Sequence, residues 1–428
     1  MSRRIEVGSR MRWNLRGALF VTSGFVTLLI GEGVARLTLT PPLYIADPRV
    51  GTSLRPNLVS RFTRSDVDQV VVTNSHGFHD AEYPRAKPEG VKRVLILGDS
   101  FMEALQVDVE ETFGQRLQEK LNRRSPGSRI QIVNSGRSGR GTLEEYAVLR
   151  NIGFDFEPDL VIQAFCMNDV HDDKMHAGHL TYDDQGRPTG FQTQGISPIP
   201  LEIKALMHRS WMIHWSLSQL SIVYREARSW WSQSPWKVPG PPPEATEIAG
   251  SPTSPRLPAA PATRAVSATQ AIPAAPERIT NPEDPFKIAR PNYTDETWAD
   301  WARTQDNLAR MKAECEARGV EFMIMVIPLE AQYSRRDTPA IRAWDLDGIS
   351  DRAQIVLKEF GEREGIPVLD LLPAFSAETA HLDYLEGHWN ENGHEVASRE
   401  AASFIFSNQM LGLAHRKNNR PIAPMAPG

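Results

Sequence analysis

The chain has 428 residues and a formal net charge of −5, with a pI near 6.2. That length allows one catalytic domain with additions, and the weakly acidic balance gives no basic footprint for a nucleic acid. The two cysteines, Cys166 and Cys315, make no disulfide framework and do not identify a redox compartment.

The N-terminus reads as a membrane anchor. Arg3, Arg4, Arg10, Arg12 and Arg16 stand against Glu6 alone, and Gly17–Gly31 then runs without a charge. Continuing through Val34, Ala35 and Leu37 gives the ~20 residues that a spanning helix needs. Glu32 falls near the far interface, where a charge can snorkel. The arginines place residues 1–16 in the cytoplasm and the chain beyond the 17–37 span outside it, in the periplasm or beyond. No small-x-small cleavage site follows, so a single-pass, uncleaved anchor in the cytoplasmic membrane is expected.

Residues 41–90 read as an irregular, proline-rich lead-in with one strand candidate, Val70–Thr73. His76 and His79 within it read as loop histidines rather than metal ligands. An alternating pattern begins at Val91. The run Val91–Leu97 is short, rich in branched residues and closed by Gly98, as in a buried parallel strand. Asp99 and Ser100 follow, and Glu103–Leu121 reads as helical, with Phe113, Leu117 and Leu121 spaced one helical face apart inside Glu111–Asn122. Arg129–Val133 is a second strand, breaking into Asn134–Thr142 before a helix over Leu143–Asn151. Leu160–Phe165 is a third, ending in Cys166-Met167-Asn168-Asp169. Three strand–loop–helix units in succession predict a parallel sheet with right-handed crossovers.

Residues 171–231 read as an insertion. His171–Pro200 is polar and loop-like. Leu201–Trp231 is a tryptophan-bearing helix packed on the domain, with a membrane-interface helix or a lid as its alternatives. Residues 232–285, rich in Pro, Ala, Ser and Thr, hold too few large apolar side chains for a core and read as a disordered excursion. The pattern then resumes: a helix over Tyr293–Arg318 with Thr294 as N-cap and Gly319 as its stop, a strand at Val320–Ile327, a helix over Asp351–Arg363, a strand at Ile366–Leu371, a loop over His381–Trp389 and a helix over Glu391–Phe406. Residues 413–428 read as an unstructured tail. The expectation is one α/β domain, residues 91–170 with 290–412, of three layers around a five-stranded parallel sheet, plus an N-terminal transmembrane helix.

Ser100 stands at a strand's C-terminal end, where α/β folds place their ligands, and beside a helix N-terminus that favours negative charge. Acyl transfer needs a nucleophile, a base, a group that orients the base, and oxyanion donors. Ser100 is the candidate nucleophile. His388 is the candidate base, and Glu386 the carboxylate that would hold its ring, with Asp383 as the second choice. The backbone at Gly139 and the side-chain amide of Asn168 lie at the ends of the next two strands. Asn390 and His394 read as the start of the last helix. His171, Asp172, Asp173, His176 and His179 match no metal-ligand spacing, and Gly136–Gly141 lacks the spacing of a dinucleotide-binding loop. No metal or organic cofactor is expected.

Four blocks in this order, GDSF (Gly98–Phe101), NSGRSG (Asn134–Gly139), MND (Met167–Asp169) and EGHWNENGH (Glu386–His394), resemble the SGNH/GDSL hydrolase superfamily, in its membrane-anchored bacterial type. The resemblance implies a flavodoxin-like fold, Ser100 as nucleophile, His388 as base, and an oxyanion hole made by the Ser100 and Gly139 amides and the Asn168 side chain. It departs from the family pattern in two places: Cys166 stands where the third block usually has glycine, and Leu385 where the family often has the aspartate three residues before the histidine. Glu386, two residues before, then corresponds to the Asp-x-His form of the branch resembling alginate acetylation proteins. The activity implied is that of a serine esterase or O-acyltransferase, with the O-acetyl groups of a cell-envelope or exported polysaccharide as substrate. A glycan-binding or assembly protein that keeps the fold, and a lipid esterase, are the alternatives.

Overall fold

The structure, a computed structural model, describes residues 3–39, 41–64, 66–192, 199–217, 284–334, 336, 338, 341, 346 and 348–413, with side chains from residue 16 onward. Contacts gather Met1–His214 and Ile279–Gly428 into one unit, and Trp215–Arg278 into a second that lies almost wholly outside the described residues. The expected excursion at 232–285, except its last two residues, the tail beyond Leu413 and residues 218–231 of the tryptophan-bearing segment also lie outside them.

Helix α1 (Arg3–Thr38) opens the chain. Its Arg16–Thr38 part contains an 18-residue stretch with a mean hydropathy of 1.7 and is long and apolar enough to cross a membrane. The lead-in that follows is irregular chiefly over 73–90, and the strand expected at Val70–Thr73 falls in the second of two hairpins. Strands β1 (Tyr44–Asp47) and β2 (Gly51–Leu54) form one antiparallel hairpin, and β3 (Val59–Arg64) and β4 (Val67–Val72) form another. The four-residue strands of the first hairpin are too short to show an alternation, and Arg61 and Arg64 interrupt the second. Ribbons of this size owe their stability to cross-strand pairs and to the surface beneath them. Here Leu54 and Val71 pack with Leu105 in a buried cluster.

The central sheet is built from β5 (Val91–Leu97), β6 (Arg129–Asn134), β7 (Leu160–Phe165), β10 (Glu321–Val326) and β11 (Val368–Asp370), all parallel, in the order β11-β10-β7-β5-β6. Between β5 and β6 run the single turn α2 (Ser100–Glu103) and α3 (Phe113–Arg124). Helix α4 (Thr142–Val148) precedes β7. Helix α5 (Asp169–His176), the small hairpin β8 (Leu180–Tyr182) with β9 (Pro188–Phe191), and α6 (Leu201–Met207) follow it. Helix α7 (Asp295–Glu316), capped by the Thr294 side chain, leads into β10. After β10 come α8 (Glu330–Tyr333), α9 (Arg352–Glu364), α10 (Leu372–Ala377) after β11, and α11 (Glu391–Ser407).

Alternating strand residues divide the interior into two layers. Leu95, Leu97, Val161 and Phe165 face Tyr146 of α4, Trp301 and Leu308 of α7, and Phe360 of α9. Val94, Ile96, Ile162 and Ala164 face Leu117 of α3, Phe375 of α10, and Ala401 and Ile405 of α11. This is a three-layer α/β/α domain. By order of appearance its strands run 2-1-3-4-5, the flavodoxin-like arrangement, which puts the topological switch point between β5 and β7.

Two local expectations are corrected. The segment after Ser100 is one short helical turn, a left-handed Ala104 (φ 52°), a turn and a 3-10 helix at Val109–Glu111 before α3, not a continuous helix from Glu103. His171–Pro200 holds α5 and the β8–β9 hairpin rather than a loop. Helix α5 was hidden because much of its buried face is acidic: Asp169 and Asp173 point inward, which inverts the apolar periodicity that marks a helix. The tryptophan-bearing segment also stops at His208–Ser210 before helix resumes at Trp211.

Candidate active site

Ser100 begins α2 directly beyond β5. Asp99 caps this turn, its Oδ1 accepting the Phe101 N–H at 3.0 Å. The chain turns tightly here because a Cβ on Gly98 would stand 2.4 Å from Met102 Cγ and 3.1 Å from Ala164 Cβ. Ser100 Oγ lies 2.7 Å from His388 Nε2. On the other side of the ring, Glu386 Oε1 lies 2.9 Å from Nδ1. The Phe101 ring packs 5.0 Å from the imidazole, centroid to centroid.

One reversal delivers both Glu386 and His388. Tyr384 N–H donates to the His388 carbonyl at 2.8 Å, and Gly387 N–H to the Tyr384 carbonyl at 3.0 Å. Gly387 has φ 92°, a conformation in which a Cβ is strained. The Leu385 N–H is held by the Asp66 carboxylate at 2.9 Å, at the tip of the β3–β4 hairpin. Gly387→Ala is therefore expected to lower kcat/KM about tenfold, the effect of ~1–2 kcal/mol of backbone strain placed between base and acid. Steady-state kinetics on a simple ester checks this.

Gln106 Nε2 donates to Glu386 Oε1 at 2.8 Å, and Arg64 Nη1 lies 3.8 Å from Oε2. Burial alone would raise the carboxyl pKa. The hydrogen bond and charge of His388, with Gln106 and Arg64, outweigh burial and hold it below its ordinary value. Gln106 and Arg64 escaped the sequence reading, and only the tertiary packing brings them to this carboxylate.

Asp383 has a different environment. The Tyr333 hydroxyl donates to its two oxygens at 2.7 and 2.6 Å, and among the described residues His388 Nδ1 meets Glu386 and not Asp383. Burial, partly offset by Tyr333, pushes the Asp383 carboxyl up to about 8. An unfolded aspartate ionises near 3.8, so between those values the folded chain holds a proton that the unfolded chain has lost, and stability falls as pH rises. Asp383→Asn removes that dependence. Its melting temperature is expected to drop less than wild type between pH 5 and pH 8, with esterase activity within about threefold of wild type; thermal melts at both pH values check it.

The second strand end forms the loop Asn134–Gly141. Gly139 has φ 72°, and among the described residues no group accepts its N–H. The loop is tied down by Glu103, which is buried. Glu103 Oε2 accepts from Ser138 N–H at 3.1 Å, from the Ser138 hydroxyl, and from the Tyr44 hydroxyl at 2.9 Å. Glu103 was not singled out in the sequence, where it reads as an ordinary helical glutamate. Buried Arg140 clamps the same loop to the first hairpin, donating to the carbonyls of Ser135, Val50 and Thr52 at 3.0, 3.2 and 3.0 Å. At the third strand end, Asn168 Nδ2 donates to Asp172 Oδ2 at 2.7 Å. One of its two N–H bonds is thereby oriented, and the other remains for a ligand.

Behind these loops lies a group of buried acids. Burial raises Asp99 to about 6 and Asp173 to about 7, and lifts Glu145 and Asp169 well above the carboxylate range. Cys166 is buried beside Asp99, and its thiol is pushed up accordingly. His394 lies in the core, its Nδ1 accepting the Phe113 N–H at 3.2 Å, and burial drives it down to about 3. His76 Nε2 pairs with the Tyr83 carbonyl at 2.9 Å and His79 Nδ1 with the Glu103 carbonyl at 3.1 Å. His171, Asp172, Asp173 and His176 lie on α5, and His176 Nδ1 is 2.9 Å from a Glu144 oxygen.

No family model and no curated protein matches the sequence. Among solved structures, the chain is similar to an acetyl xylan esterase, AlAXEase, at 10% identity and a TM-score of 0.36, over 73% of this chain and 98% of that one. It is similar to a putative lipolytic protein of the G-D-S-L family from Desulfitobacterium hafniense DCB-2 at 10% identity and 0.34, over 73% and 99%. It is also similar to a catalytic mutant of Axe2, an acetylxylan esterase from Geobacillus stearothermophilus, at 14% identity and 0.35, over 73% and 94%. The strand order and the two-faced core, not superpositions at this level, establish the flavodoxin-like α/β/α fold.

Proposed function

We propose that the protein is a serine ester hydrolase of the SGNH/GDSL kind. The observation that carries this reading is the continuous line from Ser100 Oγ to His388 Nε2 at 2.7 Å and from Nδ1 to Glu386 at 2.9 Å, placed at the switch point of the sheet. In the proposed reaction, Oγ attacks the ester carbonyl carbon while Nε2 takes its proton. Glu386 stabilises the imidazolium that results. The oxyanion is met by the Ser100 N–H at the start of α2, the Gly139 N–H and the free N–H of Asn168. His388 then protonates the departing alkoxide, leaving an acyl group on Ser100. Water, activated by His388, returns the serine and releases the acid. A sugar hydroxyl in place of water would make the same site an O-acyltransferase.

The substrate we propose is an O-acetyl group on a cell-envelope or exported polysaccharide. Its support is topological: a basic N-terminal segment followed by an apolar helix is the pattern of a domain carried outside the cytoplasmic membrane. The experiment is release of p-nitrophenol from p-nitrophenyl esters of increasing chain length by the full chain in detergent. Turnover that is highest with acetyl supports the reading. Preference for long acyl chains moves the substrate to lipids, and absence of turnover from a folded, monodisperse preparation refutes the hydrolase.

A further inference from the structure

Helix α6 is apolar on two sides. Leu201 is buried and Ala205 packs against the same cluster, which includes Ala46, Leu143 and Phe191. On the other side Ile203 and Leu206, one turn apart, are 52% and 64% exposed. Leaving two large aliphatic side chains in water forgoes the gain of burying them.

The segment directly after α6 is bonded to α1. Glu32 accepts hydrogen bonds from the Ser210 hydroxyl at 2.7 Å and from the backbone N–H groups of Trp211 and Met212 at 3.1 and 3.2 Å. Arg36 donates to the Arg209 carbonyl at 3.2 Å, and its guanidinium lies 5.6 Å from the centre of the Trp211 ring. Met212 approaches so closely that a Cβ on Gly31 would stand 2.8 Å from its Sδ. The segment is also tied to the domain: Arg55 donates to the His208 carbonyl at 2.8 Å, and the Ala46 N–H to His208 Nδ1 at 3.0 Å. It is thus fixed at the level where the uncharged run Gly17–Gly31 ends at Glu32. Lys204 lies in α6 and Arg209 just after it, Arg55 and Arg36 contact the segment, and Trp211 is the residue type that settles at the headgroup boundary.

We propose that α6 and the Ser210–Ile213 turn form a membrane foot: Ile203 and Leu206 enter the leaflet on the domain's side of the bilayer, beside α1, and the basic residues around them meet anionic phospholipid headgroups. The occupant of the exposed face is lipid because the segment that carries it is bonded, through Ser210, Trp211 and Met212, to Glu32 at the end of the apolar run of α1, whose Leu28, Leu29 and Ile30 are themselves exposed. This inference rests on α1 being a membrane anchor. It adds that the domain lies against the bilayer in one fixed orientation, rather than trailing from a tether.

The test uses the full chain in phosphatidylcholine–phosphatidylglycerol vesicles. Both native cysteines are buried, so a thiol-reactive NBD dye reports only an added one. Four single variants are compared: Ile203→Cys, Leu206→Cys, Leu28→Cys in α1, and Ile355→Cys on the exposed side of α9. The dye at 203 and 206 is expected to lose about twofold in fluorescence to a doxyl-labelled phosphatidylcholine, as at 28, and to resist aqueous iodide; the dye at 355 should behave in the opposite way. Lipid quenching at 28 with iodide quenching at 203 and 206 overturns the foot and leaves the anchor standing. Resistance to both quenchers at 203 and 206 also overturns it, since protein then covers the face. Failure of lipid quenching at 28 overturns the anchor reading and the foot together.

Discussion

Ser100→Ala is expected to reduce p-nitrophenyl acetate turnover by roughly 10³-fold or more, with the melting temperature within a few degrees of wild type. The asymmetry follows from what the hydroxyl does. Its partner is His388 Nε2, at 2.7 Å, and no stability-bearing contact is lost with it. The α2 turn keeps its cap, because the Phe101 N–H is bonded to Asp99 rather than to Ser100. Alanine is also a good residue for a helical turn. The chemistry, in contrast, loses the atom that forms the covalent bond. Activity left above background reports the oxyanion donors acting on water alone. A variant retaining most of its turnover would place the nucleophile elsewhere and dismantle the proposed mechanism.

Glu386→Gln is expected to lower kcat by about 10²- to 10⁴-fold, far beyond the effect of Asp383→Asn. The glutamine side chain has the same shape and carries no charge to stabilise the imidazolium. It also sets an amide against Gln106, whose Nε2 now donates to the Glu386 carboxylate at 2.8 Å. A pH signature accompanies the loss. The Glu386 carboxyl is held below its ordinary 4.5, so its interactions stabilise the fold fully above that value and are lost as pH falls through the lowered pKa. The variant should therefore melt with less sensitivity to acid than wild type on that side of pH 4.5. Equal damage from Glu386→Gln and Asp383→Asn would mean that the orienting acid has been misassigned.

The parts of this molecule that can be read from one sequence are those in which a residue type has a single job. Val94–Leu97 and Leu160–Ile162 are buried on both faces, so they appear as apolar runs, and the strands that contain them, Val91–Leu97 and Leu160–Phe165, have the expected limits. Glu386 and His388 stand out because a glycine separates them, and that glycine has the positive φ that turns both side chains to one side. The hairpins at 44–72 were missed because their stability is lent by cross-strand and underlying partners, which a linear pattern does not contain. Glu103, Gln106 and Arg64 were missed for a related reason. A glutamate, a glutamine and an arginine are unremarkable surface residues until folding brings Ser138 to the first and Glu386 to the other two. Helix α5 failed as a prediction because its inward side is carboxylic rather than aliphatic.

The pairing of β7 with β10 also shapes how the protein comes into being. Leu160 lies opposite Glu321, and drawing together strands about 160 positions apart costs roughly 4–5 kcal/mol of loop-closure entropy. The neighbouring strands β5, β6 and β7 close over far shorter distances, so they form the natural early nucleus. Ser100, Gly139 and Asn168 all belong to that early part, whereas Glu386 and His388 lie more than two hundred residues further along the chain and are synthesised later. A nascent chain thus carries a serine with no base beside it until the later strands and helices are made. The proposed reactivity switches on only when the final helix docks, so a half-made or truncated chain has no working nucleophile with which to attack the esters it passes.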